Sequence, residues 1–181
     1  MVDYITTASL RAPAGPVNEQ ANVVRKAEQR SPEGSTFLSH STKDAELLPA
    51  VIRLLERHGA RVYVDEKDES LPPYTSRETA QVLRERIQQS RKFILFTTKN
   101  SKGSRWVPWE LGVADGYRRP PSVAILPGVD TATEKEWAEQ EYLGVYDRIV
   151  HGRIQGRAED CYMVFNQARN SARELGEWLR A

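Results

Sequence analysis

The run Lys92-Phe93-Ile94-Leu95-Phe96-Thr97 is the most apolar stretch of the chain. It is too short for a buried helix, and its four consecutive apolar side chains leave no polar face for solvent. A strand covered on both faces reads this way, so the run is placed at the centre of a parallel sheet. Its flanks agree. Upstream, Thr79 to Ser90 carries Leu83 and Ile87 at helical spacing. Downstream, a Ser/Gly/Lys loop, Asn100 to Ser104, leads into a helix from about Arg105 to Tyr117. A strand framed by amphipathic helices is the repeating unit of an α/β layer fold.

The same alternation extends both ways. Thr36-Phe37-Leu38-Ser39 reads as a first strand and Lys43 to His58 as a helix with Leu47, Val51, Leu54 and Leu55 on one face, ending at Gly59. Arg61 to Asp65 gives a second strand. Glu66 to Ser76 is polar, contains Pro72-Pro73 and reads as a long loop. Pro120-Pro121 breaks the chain before a fourth strand, Ser122 to Leu126. Thr133 to Gln140 reads as a short helix, Val145 to Ile154 as holding a fifth strand, and Tyr162 to Leu179 as a closing helix. These elements predict one α/β domain over residues 35–181, with a five-stranded parallel sheet and helices on both faces. Residues 1–34 form an N-terminal extension with a helix from Asn18 to Arg30. Its thin apolar face, Ala21, Val23, Val24 and Ala27, suits either docking or a solvated appendage.

Composition narrows the function. With 181 residues, 39% apolar and 28% charged, the chain suits a single globular domain. A net charge of +1 argues against a phosphate-backbone binder, so nucleic acid is not expected as a partner. The single Cys161 cannot build a disulfide framework; it reads as a small buried hydrophobe in a reducing compartment. The N-terminus shows neither a leader nor a membrane span, which predicts a cytoplasmic protein. His40, His58 and His151 show no metal-ligand spacing, and no metal is expected.

Ligands of open parallel sheets bind beyond the carboxyl ends of the strands. The loops there carry Ser39-His40-Ser41-Thr42-Lys43-Asp44, then Asp65, then Thr97 to Ser101 leading to Ser104-Arg105-Trp106-Val107-Pro108-Trp109-Glu110-Leu111. Ser104 suits an N-cap, and Pro108 is tolerated early in a helix. Trp106 and Glu110 then share a face near the helix N-terminus, where the backbone dipole favours an ionised carboxylate. Such a group suits stabilising a cation beside a flat apolar wall. On these residues alone, a core tryptophan and a surface glutamate are the more ordinary reading.

Taken in order, Thr36 to Asp44, Arg61 to Glu66, Ile87 to Trp106 and Trp106 to Ala114 resemble the successive motifs of bacterial TIR (Toll/interleukin-1 receptor) domains. The resemblance covers Thr36 to Pro127, roughly half the chain. It implies a flavodoxin-like sheet and, as in NAD+-consuming members, a catalytic glutamate at the W-x-x-x-E position, here Glu110 with Trp106. Ser39, His40, Ser41, Lys43 and Asp65 would line the substrate crevice, Lys43 offsetting phosphate charge and Asp44 ordering the loop. NAD+ is then the substrate and no further cofactor is implied. The product would be ADP-ribose or a cyclic isomer, a signal in antiphage defence read by a separate effector, with self-association through TIR contacts. Two departures stand out: the loop after Asp65 lacks the short Gly-Asp sequence many members carry, and Trp109 adds a second indole. Three rival readings are a non-catalytic TIR adaptor, a receiver-like domain and a different nucleoside-bond-cleaving enzyme. The receiver suits the sequence poorly, because Ser-His-Ser-Thr follows the first strand where paired acidic residues would be needed for Mg2+.

Overall fold

The computed structural model describes residues 2–12, 15–65, 77–104, 106–117, 122–134 and 141–181. Its elements are β1 (Val2–Asp3), β2 (Ile5–Thr6), α1 (Thr7–Arg11), α2 (Val17–Glu28), β3 (Thr36–Ser39), α3 (Leu48–Arg57), β4 (Val62–Tyr63), α4 (Arg77–Gln89) and β5 (Lys92–Thr97). There follow α5 (Trp106–Tyr117), β6 (Val123–Val129), β7 (Asp147–Gly152), β8 (Cys161–Asn166), β9 (Ser171–Glu174) and α6 (Leu175–Arg180). Short 3-10 segments at Thr42–Leu47, Lys99–Gly103 and Glu141–Val145 complete the loops.

Five strands run parallel in the order β4-β3-β5-β6-β7. That is the flavodoxin-like order, with the chain stepping from β3 to one neighbour and then returning to the other side. β5 is central and every one of its residues is buried. Its side chains alternate between two cores, as the period of a strand requires. Ile94 and Phe96 join Leu38, Leu126, Val51, Leu55 and Trp178 on the face covered by α2, α3 and α6. Phe93 and Leu95 join Phe37, Ile125, Leu83, Ile87, Val107 and Leu111 under α4 and α5. Phe37 and Phe93 stack with centroids 5.5 Å apart.

Three features differ from the sequence reading or extend it. The helix expected from Lys43 begins only at Leu48, after a 3-10 segment. Pro49 explains this: an α-helix running through it would need an amide that proline lacks, so proline sits in the helix's own first turn. The closing helix expected over Tyr162–Leu179 is corrected to a strand pair and a short helix. β8 pairs antiparallel with β7, β9 with β8, and only Leu175–Arg180 is helical. Cys161-Tyr162-Met163-Val164-Phe165 is rich in strand-favouring side chains, and Asn170, at φ 45°, takes the left-handed conformation that closes the hairpin. Leu175, Trp178 and Leu179, spaced as one buried helical face, carried the helical reading backward across that turn.

The N-terminal segment takes the docked alternative. β6 and β7 pair at Ala124↔Asp147 and Ile125↔Arg148; beyond that point β2 lies on β6 and β1 on β7. α2 packs on α3, with Ala27 buried and Val23 and Val24 against the core. Cys161 is half-buried at the start of β8. The loop read over Glu66–Ser76 and residues 135–140 of the helix read after Thr133 lie outside the described residues.

Candidate active site

Because β4 and β5 leave β3 on opposite sides, the crevice beyond the carboxyl ends of β3 and β5 is the topological switch point of the sheet. Ser39 is the last residue of β3, paired with Leu95 of β5. Its hydroxyl donates to Oε2 of Glu110. Both side chains are buried, Ser39 to 0% exposure and Glu110 to 1%. Removing a carboxylate from water is costly unless hydrogen bonds replace its hydration, so a buried glutamate is a candidate functional group.

α5 delivers that glutamate. The Val107 amide donates to Ser104 Oγ at 3.3 Å, which makes Ser104 the helix cap expected from sequence. Trp106 opens the helix and Glu110 follows one turn later on the same side. The helix dipole therefore acts on Glu110 less than its place in the sequence suggested. Glu110 stands in the second turn, beyond the reach of most of the N-terminal field, and its surroundings are set by burial and Ser39. Trp106 is half-buried and meets Trp109 edge-on at 5.5 Å and 86°. Trp109 in turn lies under the Arg84 guanidinium, 5.4 Å from the ring centroid, so the second indole fills the seam between α4 and α5.

The remaining sequence-predicted residues divide. His40 and Ser41 are buried directly after Ser39, and Ser41 Oγ accepts the Lys43 amide at 3.4 Å. Lys43 is exposed and forms no ion pair with a described residue; its ammonium lies over Gly103, 3.5 Å from where a β-carbon would stand. Asp65, two residues past β4, is committed within the fold: it accepts from the Tyr63 hydroxyl at 2.9 Å and pairs with Arg86 of α4. Burial, together with the Asp65 charge, pushes the Tyr63 hydroxyl well above the ordinary tyrosine range. Tyr117 is exposed at the far end of α5. Among the described residues no cluster of His, Cys, Asp and Glu could hold a metal ion, and no helix is long and apolar enough to cross a membrane.

Sequence reasoning treated Asp44 as a loop-ordering residue without its partners. The structure supplies them. Asp44 is fully buried, with Oδ1 accepting from the Thr98 hydroxyl at 2.8 Å and the Asn100 amide at 2.9 Å, and Oδ2 from the Ser101 hydroxyl at 3.1 Å. The polar run Thr98 to Ser101 after the central strand was the available signal.

A flavodoxin-like sheet with a serine-held, buried carboxylate at its switch point defines an α/β domain with an acid placed at the edge where such sheets bind ligands. The TIR domain model matches residues 36–149, and the chain belongs to that family. It is 35% identical over 146 residues to a protein of Bacillus cereus (strain MSX-D12) named "Probable 3' cyclic ADP-D-ribose synthase ThsB'", covering 80% of this chain and 74% of that one. It is also 33% identical over 78 residues to "Putative cyclic ADP-D-ribose synthase TIR2" of Cytobacillus dafuensis, covering 41% of this chain and 21% of that protein.

Proposed function

We propose that this TIR domain cleaves NAD+ at the bond between nicotinamide and ribose, releasing nicotinamide and forming ADP-ribose or a cyclic ADP-ribose isomer. The observation that carries the reading is the Ser39–Glu110 pair, buried at the switch point with Trp106 one turn away. The names of the two relatives favour the cyclic product.

The chemistry asks for little more than this pair. The nicotinamide nitrogen is already cationic, so heterolysis returns the bonding electrons to the ring and releases it neutral, without an acid. Positive charge passes to the ribose C1′. Glycosidases of ordinary sugars need a second carboxyl group to protonate an alkoxide; here one carboxylate suffices. In a dry site its attraction for the oxocarbenium-like transition state exceeds what water would allow. Ser39 holds one oxygen of Glu110 and so fixes the direction of the carboxylate. Trp106 supplies a flat wall for a ring, and His40 and Ser41 stand at the same sheet edge for ribose hydroxyls, while Asp65 is held by Tyr63 and Arg86 and takes no part. Lys43 offers a charge to the diphosphate. The cation is then captured by water, which loses a proton and gives ADP-ribose, or by an adenine nitrogen or ribose oxygen, which closes a ring.

The resemblance to antiphage TIR enzymes supports a cytoplasmic role in which the nucleotide product signals to a separate effector, with self-association of the domain. The deciding experiment incubates the purified chain with NAD+ and follows nicotinamide by chromatography, the second product being identified by mass. We expect Glu110→Gln to lower release by about 100-fold or more. Equal release from both proteins would sink the catalytic reading in favour of an adaptor.

A further inference from the structure

The geometry points to Asp44 as a positioning residue that sets where Glu110 stands relative to Ser39; this rests on the catalytic reading above. Two segments build the site: Ser39 to Asp44 after β3, and Thr98 to Glu110 after β5. Among the described residues, two links between them bear on Glu110. One link is the Ser39–Glu110 hydrogen bond itself. The other is Asp44, which gathers Thr98, Asn100 and Ser101 onto one carboxylate.

From that carboxylate a relay of hydrogen bonds runs to the helix. Ser101 donates its hydroxyl to Asp44 and accepts the Thr98 amide on the same oxygen at 3.1 Å. The Ser101 carbonyl accepts the Ser104 amide at 3.0 Å, and Ser104 Oγ caps the helix at Val107. Glu110 stands three residues further on. Each step is short-range, so displacement of the Asp44 end is passed on to the start of α5. Asp44 is itself anchored on the first segment, its amide donating to the Ser41 carbonyl at 2.9 Å. It does not touch the carboxylate of Glu110 in any described contact; it acts through the loop.

A positional error of about 1 Å in a catalytic group can cost on the order of 100-fold in rate. We therefore expect Asp44→Ala to lower kcat for nicotinamide release by about 10- to 100-fold, with KM changed no more than about threefold. Asp44→Asn should restore kcat to within about threefold of wild type. The asparagine oxygen can accept from Thr98 and Asn100 while its NH2 donates to Ser101, so the geometry survives loss of the charge.

The assay uses the full chain and measures kcat, KM and thermal midpoint for wild type, Asp44→Ala, Asp44→Asn, Thr98→Val and Glu110→Gln. A selective fall in kcat rescued by asparagine supports positioning. The proposal is overturned if Asp44→Ala turns over like wild type, or if Asp44→Asn is as impaired as alanine and both simply melt lower. Should Asp44→Ala not fold, Thr98→Val decides, since it removes one hydroxyl from the same carboxylate: a several-fold drop in kcat at constant KM supports the proposal, and unchanged kcat overturns it. Glu110→Gln separates the two levels. If it is inactive while Asp44→Ala turns over like wild type, only positioning fails; if it releases nicotinamide like wild type, both readings fall.

Discussion

At the scale of single residues, the contact between Ser39 and Glu110 bears on activity more directly than any other. A hydrogen bond to a charged group contributes about 1.5–3 kcal/mol, which corresponds to about 10- to 100-fold in a rate if it is felt in the transition state. Ser39→Ala should accordingly lower kcat for nicotinamide release by at least about tenfold, read in the same assay, while the thermal midpoint shows whether the fold survives the loss. Glu110 entered the sequence reading through the resemblance to TIR domains; its spacing from Trp106 left a surface glutamate the more ordinary alternative, and its burial is visible only in the structure. Ser39 as its partner was not legible in the sequence, since the two are 71 residues apart and meet only because β3 and β5 are neighbours. Asp65 shows the opposite case. An acidic residue at a strand end invites a ligand role, yet its carboxylate is held by Arg86, a partner 21 residues away that no local pattern marks.

Among elements, the loops at the carboxyl edge are shaped by what the strands allow. Gly128 near the end of β6 is an example: a β-carbon there would lie 2.8 Å from the Phe96 ring and 3.2 Å from the Thr98 methyl. Phe96 is fully buried and cannot swing aside, so Gly128→Ala should destabilise the protein by about 1–3 kcal/mol, measured by urea denaturation. Because the same atom presses on Thr98, activity should fall further than stability alone accounts for. The central strand was read correctly because four consecutive apolar residues have one economical explanation. The β8–β9 hairpin was missed because its burial is partial and its turn, Gln167 to Asn170, carries no glycine or proline to punctuate it.

For the molecule as a whole, the sheet is a partition between two cores, and tyrosines tie its surroundings together. Tyr146, beside the second core, has its hydroxyl pushed up to about 12 by burial and then by the adjoining Asp115 of α5. Tyr63 is raised by the same two causes, with Asp65 as the neighbour. A raised folded-state value means the neutral phenol is favoured in the native protein. Its contribution is complete below the unfolded value of about 10 and is lost as pH climbs through the folded one. Stability should therefore decline from about pH 10 upward, and Tyr146→Phe should flatten that decline in urea midpoints taken between about pH 9 and 11.5. A wild-type midpoint constant across that range would contradict the assignment.

The placement of β1 and β2 also carries a consequence for the order in which the fold is assembled. Val2 pairs with Gly152, and Ile5 with Gly128, so these two strands have no partners until residues more than 120 positions further on have been made. Contacts so distant in sequence close late and slowly, because the loop entropy is lost before the pairing returns anything. Filling the gap between β6 and β7 is thus a late step in folding, although the strands that fill it precede every other strand of the sheet in sequence.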